Sequence, residues 1–131
     1  MNNLSNDPRV DSLTMDASVF DLSKALERVE GDLELLQEMA DLFLEEYPHM
    51  LEEIGNAITA GDAQALQHAA HTLKGSVSNF ATDKTTEASF VLEKMGRQQD
   101  LACAATALAT LKQELARLAP VLLSLKEKEA A

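Results

Sequence analysis

Apolar residues recur every three or four positions along most of the chain, the spacing that places them on one face of an α-helix. The longest such stripe runs from Leu36 to Ile58 and keeps its phase across Pro48. A proline inside a helix removes one hydrogen bond and bends the helix, so we predict a kink at Pro48 rather than a break. Asp32 is the predicted N-cap of this helix, and Gly61 ends it.

Four further stripes indicate four more helices, and turn residues separate all of them. They are predicted over residues 21–29, 63–82, 83–96 and 101–122, with Gly31 and Gly96 as stops and Asp62 and Asp100 as caps. The connections are short, so consecutive helices should pack antiparallel. The pattern predicts an all-α fold, an antiparallel up-and-down four-helix bundle with a short additional N-terminal helix.

The two ends of the chain lack this periodicity. Residues 1–16 are polar and carry Asn, Ser, Asp and Pro, which predicts a flexible N-terminal leader. The helical-bundle domain is predicted over 17–127, and residues 128–131 are predicted to be a frayed tail.

Composition narrows the class of protein. The chain has 131 residues, enough for one domain, and a net charge of −11, which disfavours binding to nucleic acid phosphates. The sequence has no apolar run of transmembrane length and no signal-peptide pattern, so we expect a cytoplasmic monomer without membrane contact. Cys103 is the single cysteine; it cannot form an internal disulfide, and we expect a buried thiol.

The third predicted helix carries a histidine on its polar side. On a helical wheel, His71 falls about 150° from the centre of the apolar arc. We therefore expect an exposed, neutral imidazole that can act as a nucleophile. Gln67, Lys74, Gly75 and Ser78 flank it on the same surface, and Gln67, Gly75 and Ser78 are candidate partner-docking positions.

Gly75 is unusual because a glycine inside a helix costs about 1 kcal/mol relative to alanine. A side chain four residues after His71 would partly cover the imidazole, so a glycine there leaves the ring open. Lys74 supplies a cation within reach, and residues 63–82 contain no carboxylate although the chain has 22. This combination fits an imidazole that accepts an anion. The same residues are also compatible with an ordinary surface histidine and with a glycine required for close helix packing.

The segment AHTLKGSVSNFA, from Ala70 to Ala81, closely resembles the signature of histidine-containing phosphotransfer (HPt) domains, roughly AHxLKGSxxNLGA. The Gly31-Asp32 turn, the long helix with Phe43 and Pro48, and the AGD sequence at residues 60–62 are also similar to this family. The resemblance covers the chain from about Ser18 to Lys126. It departs from the pattern at Ala81-Thr82, where the family usually has Gly-Ala.

The resemblance implies a phosphorelay intermediate. His71 would be phosphorylated on a ring nitrogen, and Lys74 and Gly75 would flank the phosphoryl group. The donor and acceptor would be aspartates of receiver domains, in response regulators or in a hybrid sensor histidine kinase. The chain itself would hold no cofactor, because Mg²⁺ and its acidic pocket are expected on the receiver. The chain has no glycine-rich phosphate loop, so we expect a phosphocarrier without autokinase activity.

Three other functions compete with this one. His68 and His71 have a spacing that metal sites use, but no carboxylate or cysteine on that helix completes a ligand set. A hydrolase needs a carboxylate that orients the imidazole, and none lies within helical reach. A helical-bundle interaction scaffold without phosphorylation remains the alternative. His49 and His68 are interpreted as ordinary surface or boundary residues.

Overall fold

The computed structural model describes residues 20–80 and 83–127, and the regular structure in this part of the chain is helical throughout. Helix α1 spans Leu22–Arg28, α2 spans Leu33–Ala60, α3 spans Ala63–Ser78, α4 spans Asp83–Arg97 and α5 spans Ala104–Glu127. The predicted leader (1–16), the predicted tail (128–131) and the Ala81-Thr82 departure lie outside the described residues.

The four long helices form a closed ring around one core. Helix α2 packs against α3 and α5, and α4 packs against the same two helices from the opposite side. Short links join consecutive helices that also contact each other, so neighbours run antiparallel, and α1 lies against α2. The predicted four-helix bundle with an extra N-terminal helix is confirmed. None of the helices in the described part is long and apolar enough to cross a membrane.

The predicted N-caps Asp32 and Asp62 are confirmed, and Asp21, which was predicted to lie within the first helix, is the N-cap of α1. The carboxylates of Asp21, Asp32 and Asp62 each accept a hydrogen bond from a backbone N–H three residues later, at 3.0–3.2 Å. Gly61 ends α2 in the left-handed conformation, with φ of 67°. Helix α2 continues through Pro48 as predicted, because core residues on both sides of the proline hold it in place.

Every long helix contributes apolar side chains to the core. Its largest fully buried members are Leu36, Ile54, Leu66, Leu73, Val77, Phe80, Leu92, Leu111, Leu115, Leu118, Leu122 and Leu125. Gln37 is buried among them, and its Nε2 donates a hydrogen bond to the carbonyl of Leu125 at 2.9 Å, which ties α2 to α5.

The predicted end of α3 was wrong. The helix ends at Ser78 rather than near Thr82. The chain then turns so that Phe80 enters the core, with its ring centroid 5.7 Å from that of Phe43. An apolar residue just beyond the helix end therefore continued the periodic pattern without continuing the helix.

The predicted start of α5 was wrong as well, because the helix begins at Ala104 rather than Leu101. The carboxylate of Asp100 does cap the chain, but it accepts from the N–H of Ala102 at 3.3 Å in a turn that precedes the helix. An aspartate can cap a single turn as well as a helix. Cys103 lies in this turn and not on the inward face of α5, so it is exposed rather than buried as predicted.

Helix α4 ends at Arg97, one residue beyond the predicted end at Gly96. Gly96 is nevertheless not the helix stop: it is buried and helical, and the left-handed residue beyond the helix end is Gln99, with φ of 57°. The reason for the glycine is a close approach between α3 and α4. A Cβ at this position would lie 2.6 Å from the backbone nitrogen of Gln67 and 2.7 Å from the carbonyl oxygen of Ala63. Backbone atoms cannot move aside as a flexible side chain can. Glycine is therefore the residue that lets the two helix backbones meet at this level.

We predict that Gly96→Ala lowers the free energy of unfolding by at least about 2 kcal/mol, because the methyl group forces α4 away from α3. Urea denaturation measures the change. Gly55→Ala is the matched control, since its Cβ would make an ordinary 3.8 Å contact with Leu108. This variant should gain up to about 1 kcal/mol of stability from helix propensity. Equal stabilities for the two variants would contradict the proposed close approach.

Candidate functional site

His71 lies on the outer face of α3, and 63% of its side chain is exposed. The predicted orientation is confirmed, because the neighbouring residues on the inner face, Ala70 and Leu73, are fully buried. Beside the ring is a shallow depression of about 360 Å³ lined by Gln64, Gln67, His68, His71 and Glu93. Gln67 is half-buried there.

The imidazole has a partner that comes from the neighbouring helix. Oε2 of Glu93 on α4 lies 3.0 Å from Nδ1 of His71. The side chain of Glu93 is only 6% exposed, so a carboxylate lies buried beneath an exposed ring. A carboxylate can only accept hydrogen bonds. Nδ1 therefore carries the ring proton and donates it to Glu93, which leaves Nε2 with a free lone pair.

Two cations hold the same carboxylate. Nζ of Lys74 lies 2.7 Å from Oε1, and Nη2 of Arg97 lies 3.1 Å from Oε2. Burial alone would raise the pKa of Glu93, but the hydrogen bonds and charges of Lys74 and His71 outweigh it. The pKa of Glu93 consequently lies below its usual value, and the carboxylate is ionised at neutral pH. Two cations against one carboxylate give the group formed by Glu93, Lys74 and Arg97 a net positive charge.

Lys74 is held by α4 from two directions. Besides its ion pair with Glu93, its ammonium lies 4.9 Å from the ring centroid of Phe90, which is one turn before Glu93. A cation at this distance over an aromatic face is attracted by the ring. Lys74 is only 26% exposed, so its ammonium has a defined position next to His71.

Gly75 and Ser78 extend the exposed side of α3. A Cβ added at Gly75 would meet no atom within 4 Å, so the alternative role of this glycine in close helix packing was wrong. Ser78 is half-buried, and its hydroxyl donates to the carbonyl of Gly75 at 2.9 Å. The carbonyl of Ser78 in turn accepts from Arg28 on α1 at 2.7 Å. This contact fixes the end of α3.

The structure corrects one argument against a hydrolase. A carboxylate does orient the imidazole, but it comes from α4 rather than from the helix that carries His71. Among the described residues, no serine, threonine or cysteine is hydrogen-bonded to the ring of His71, so the nucleophile of such a triad is missing. Within the same part of the chain, no three metal-ligating side chains are grouped to hold a metal ion.

The other two histidines are surface residues, as interpreted from the sequence. His49 lies between Glu52 and Glu53 at 3.5 and 3.6 Å and is 71% exposed. His68 is exposed at the rim of the depression.

Sequence reasoning missed Glu93, Arg97 and Phe90. It took the inward face of α4 from the apolar residues alone, whereas Ser89, Glu93 and Gly96 also lie on the buried face. The available signal was the spacing of Ser89, Glu93 and Gly96, which are four and three residues apart and therefore lie on one helix face. A glutamate between two small residues on one face indicates a polar side chain at a close helix–helix interface.

The bundle thus presents an exposed histidine whose ring is oriented by a buried carboxylate from the neighbouring helix. Comparison with known proteins identifies the class: residues 38–120, more than half of the chain, match the Hpt domain family. The chain therefore belongs to the Hpt domain family, and this membership gives it a role in histidine phosphotransfer within two-component signalling.

A solved structure supports the same assignment. The chain is similar to the histidine-containing phosphotransfer protein B (HptB) from Pseudomonas aeruginosa PAO1, with 25% sequence identity and a TM-score of 0.77. The match covers 83% of this chain and 95% of that protein. No curated protein sequence matches the chain.

The depressed pKa of Glu93 predicts how its contribution to stability depends on pH. A carboxyl whose pKa is lowered by folding stabilises the native state above its unfolded pKa, about 4.3 for glutamate, and this contribution is lost as the pH falls through the folded pKa. We predict that Glu93→Gln is less stable than the wild type by about 1–2 kcal/mol at pH 5. The difference should become smaller as the pH falls from 5 to 3, because the carboxyl is progressively protonated.

Urea denaturation at both pH values measures this difference. Both lie below the usual titration range of histidine, so carboxyl groups dominate the change between them. Glu52→Gln, at an exposed position, is the control and should follow the wild-type curve. A stability difference for Glu93→Gln that stays constant down to pH 3 would contradict an ionised, hydrogen-bonded Glu93.

Proposed function

We propose that this protein is a phosphocarrier, in which His71 accepts a phosphoryl group from the aspartyl phosphate of a receiver domain and passes it to another receiver aspartate. The observation that carries the proposal is the state of one ring: His71 is exposed, yet its Nδ1 is bound to the buried, ionised carboxylate of Glu93. Nε2 is then the nucleophile.

The Glu93 contact prepares the ring in two ways. It selects the tautomer with the proton on Nδ1, so that no proton has to leave Nε2 before attack. It also fixes the imidazole relative to the helix, so that less rotational freedom is lost when a partner docks. A buried partner under an exposed nucleophile achieves both without covering the reactive nitrogen.

In the transfer step, the lone pair of Nε2 attacks phosphorus in line with the aspartyl oxygen. The Nε2–P bond forms as the P–O bond to the receiver aspartate breaks, and the electron pair of that bond returns to the aspartate as a carboxylate. The ring keeps its proton on Nδ1 and becomes positively charged. Glu93 lies 3.0 Å from that nitrogen and stabilises the developing charge. The reverse step uses the same groups.

Lys74 and Gly75 have complementary roles in this proposal. Lys74 neutralises Glu93, so that the buried carboxylate does not repel the incoming phosphoryl group, and it contributes positive potential beside the ring. Gly75 leaves open space where the receiver approaches. Gln67 and Ser78, one or two turns away on the same helix, are the proposed edges of the docking surface.

The remaining parts of the reaction are assigned to the partner. The receiver supplies Mg²⁺ and the acidic pocket that binds it, and we expect no cofactor on this chain. We also expect no kinase activity with ATP, so that phosphate enters and leaves only through receiver domains or a hybrid sensor kinase. The protein would act as a cytoplasmic monomer.

We predict that His71→Gln abolishes labelling by a phosphorylated receiver and changes the melting temperature by no more than about 2 °C, because an exposed side chain contributes little to stability. Radiolabel transfer on a gel measures the first effect and circular dichroism the second. His68→Gln, one turn away, is the matched control and should be labelled like the wild type. Omitting Mg²⁺ should block transfer onto a receiver without changing the helicity of the isolated protein.

The alternative of a scaffold without phosphorylation gives a different result. It predicts binding to partner proteins but no label on the wild type and no change in the ¹⁵N shifts of the His71 ring. Full labelling of His71→Gln would instead assign the acceptor to another histidine.

We predict opposite effects of Gly75→Ala on stability and on transfer. The methyl group enters open space, so the variant should gain up to about 1 kcal/mol from helix propensity. The same methyl group lies where the receiver approaches, so transfer should slow. Gly75→Gln should slow transfer much further with little additional change in folding. Thermal melts and timed transfer assays measure both properties, and an alanine variant that melts lower and transfers normally would contradict this role.

A further inference from the structure

Arg97 contacts the same carboxylate oxygen as the proposed acceptor. Its Nη2 lies 3.1 Å from Oε2 of Glu93, and Nδ1 of His71 lies 3.0 Å from that oxygen. Arg97 is on α4, one turn after Glu93, and half of its side chain is exposed. A guanidinium group with five N–H donors is therefore placed next to the imidazole, in a position to reach solvent on that side.

The two cations around Glu93 differ in what their departure would cost. Oε1 is buried, and within the described residues Lys74 is the partner that the structure gives it. Removing Lys74 would leave a buried, charged oxygen without compensation, which is expensive. Oε2 has two partners, so it keeps the hydrogen bond from His71 when Arg97 leaves.

Phosphorylation itself favours the departure of Arg97. Once Nε2 carries a phosphoryl group, the ring is positively charged and binds Oε2 more strongly, which weakens the competing contact from Arg97. The phosphoryl group brings a charge of about −1.5 to −2 to the opposite side of the same ring. A guanidinium group binds such an anion through two parallel N–H bonds, which an ammonium group cannot do.

We propose that Arg97 is the mobile cation of this site: it exchanges its contact with Glu93 for the phosphoryl group on His71, while Lys74 remains on Glu93. This inference rests on the proposed function of His71 and assigns Arg97 a phosphoryl-binding role within it. Lys74, which lies over the ring of Phe90, then neutralises the carboxylate in both states, and only Arg97 changes its partner.

The test compares Arg97→Gln and Arg97→Lys with Lys74→Gln and with Arg117→Gln. Arg117 is the matched control, because it is 52% exposed and pairs with a glutamate, Glu114, on its own helix. Each protein is phosphorylated chemically with phosphoramidate, which requires no receiver. The pH titration of the ³¹P resonance and the lifetime of the phosphohistidine are then measured.

We expect Arg97→Gln to shift the ³¹P titration midpoint upwards and to shorten the phosphohistidine lifetime severalfold, because a cation beside the phosphoryl group favours its dianion. Arg97→Lys should restore part of both effects. Arg97→Gln should melt within a few degrees of the wild type, whereas Lys74→Gln should melt clearly lower. Arg117→Gln should match the wild type in the ³¹P titration midpoint and in the phosphohistidine lifetime.

The inference is overturned if the ³¹P titration midpoint of Arg97→Gln equals that of the wild type, whether or not Lys74→Gln shifts its own midpoint. A shift in Lys74→Gln alone would assign the phosphoryl contact to Lys74. Failure of phosphoramidate to label His71 in the wild type, with label found elsewhere or nowhere, would instead overturn the proposed function and this inference together.

Discussion

The close approach of α3 and α4 at Gly96 is the constraint on which the site depends. Gly96 contacts the backbone of Gln67. Because the two helices are antiparallel, this contact places Glu93, one turn before Gly96, opposite His71, one turn after Gln67. A wider helix spacing would leave the carboxylate short of the ring, and the imidazole would rotate freely in solvent.

The same contact explains why an ionised carboxylate can be buried at the edge of the bundle. Removing Glu93 from water is costly, and the cost is offset only if its oxygens keep well-placed charged partners. Arg97 lies on the same helix as Glu93, but Lys74 comes from α3, so the compensation at Oε1 requires both helices at the observed distance. Apolar residues at such a position often stabilise a protein more than a buried ion pair does. The orientation of His71 therefore explains a glutamate here better than stability does.

Much of this arrangement follows from the sequence by reasoning within one helix at a time. The wheel of α3 predicts the exposure of His71, and the open space at Gly75 follows from the spacing of four residues. Reasoning of that kind cannot relate two helices, because the register between them depends on which backbone atoms touch. Glu93 and Arg97 were missed for this reason, and Gly96 was interpreted as a helix stop although its function is close packing.

The whole chain is negatively charged, whereas the cluster beside His71 is positively charged. The two charges act on an approaching anion at different distances. A net charge of −11 repels anions at long distance, but salt screens that repulsion over about 8–10 Å. Inside that distance an approaching phosphoryl group meets two cations around one carboxylate. The helix that carries His71, Ala63–Ser78, has no acidic residue of its own. The attraction is thus confined to the face that carries His71. An acidic chain can in this way accept an anion at one position and disfavour its approach elsewhere.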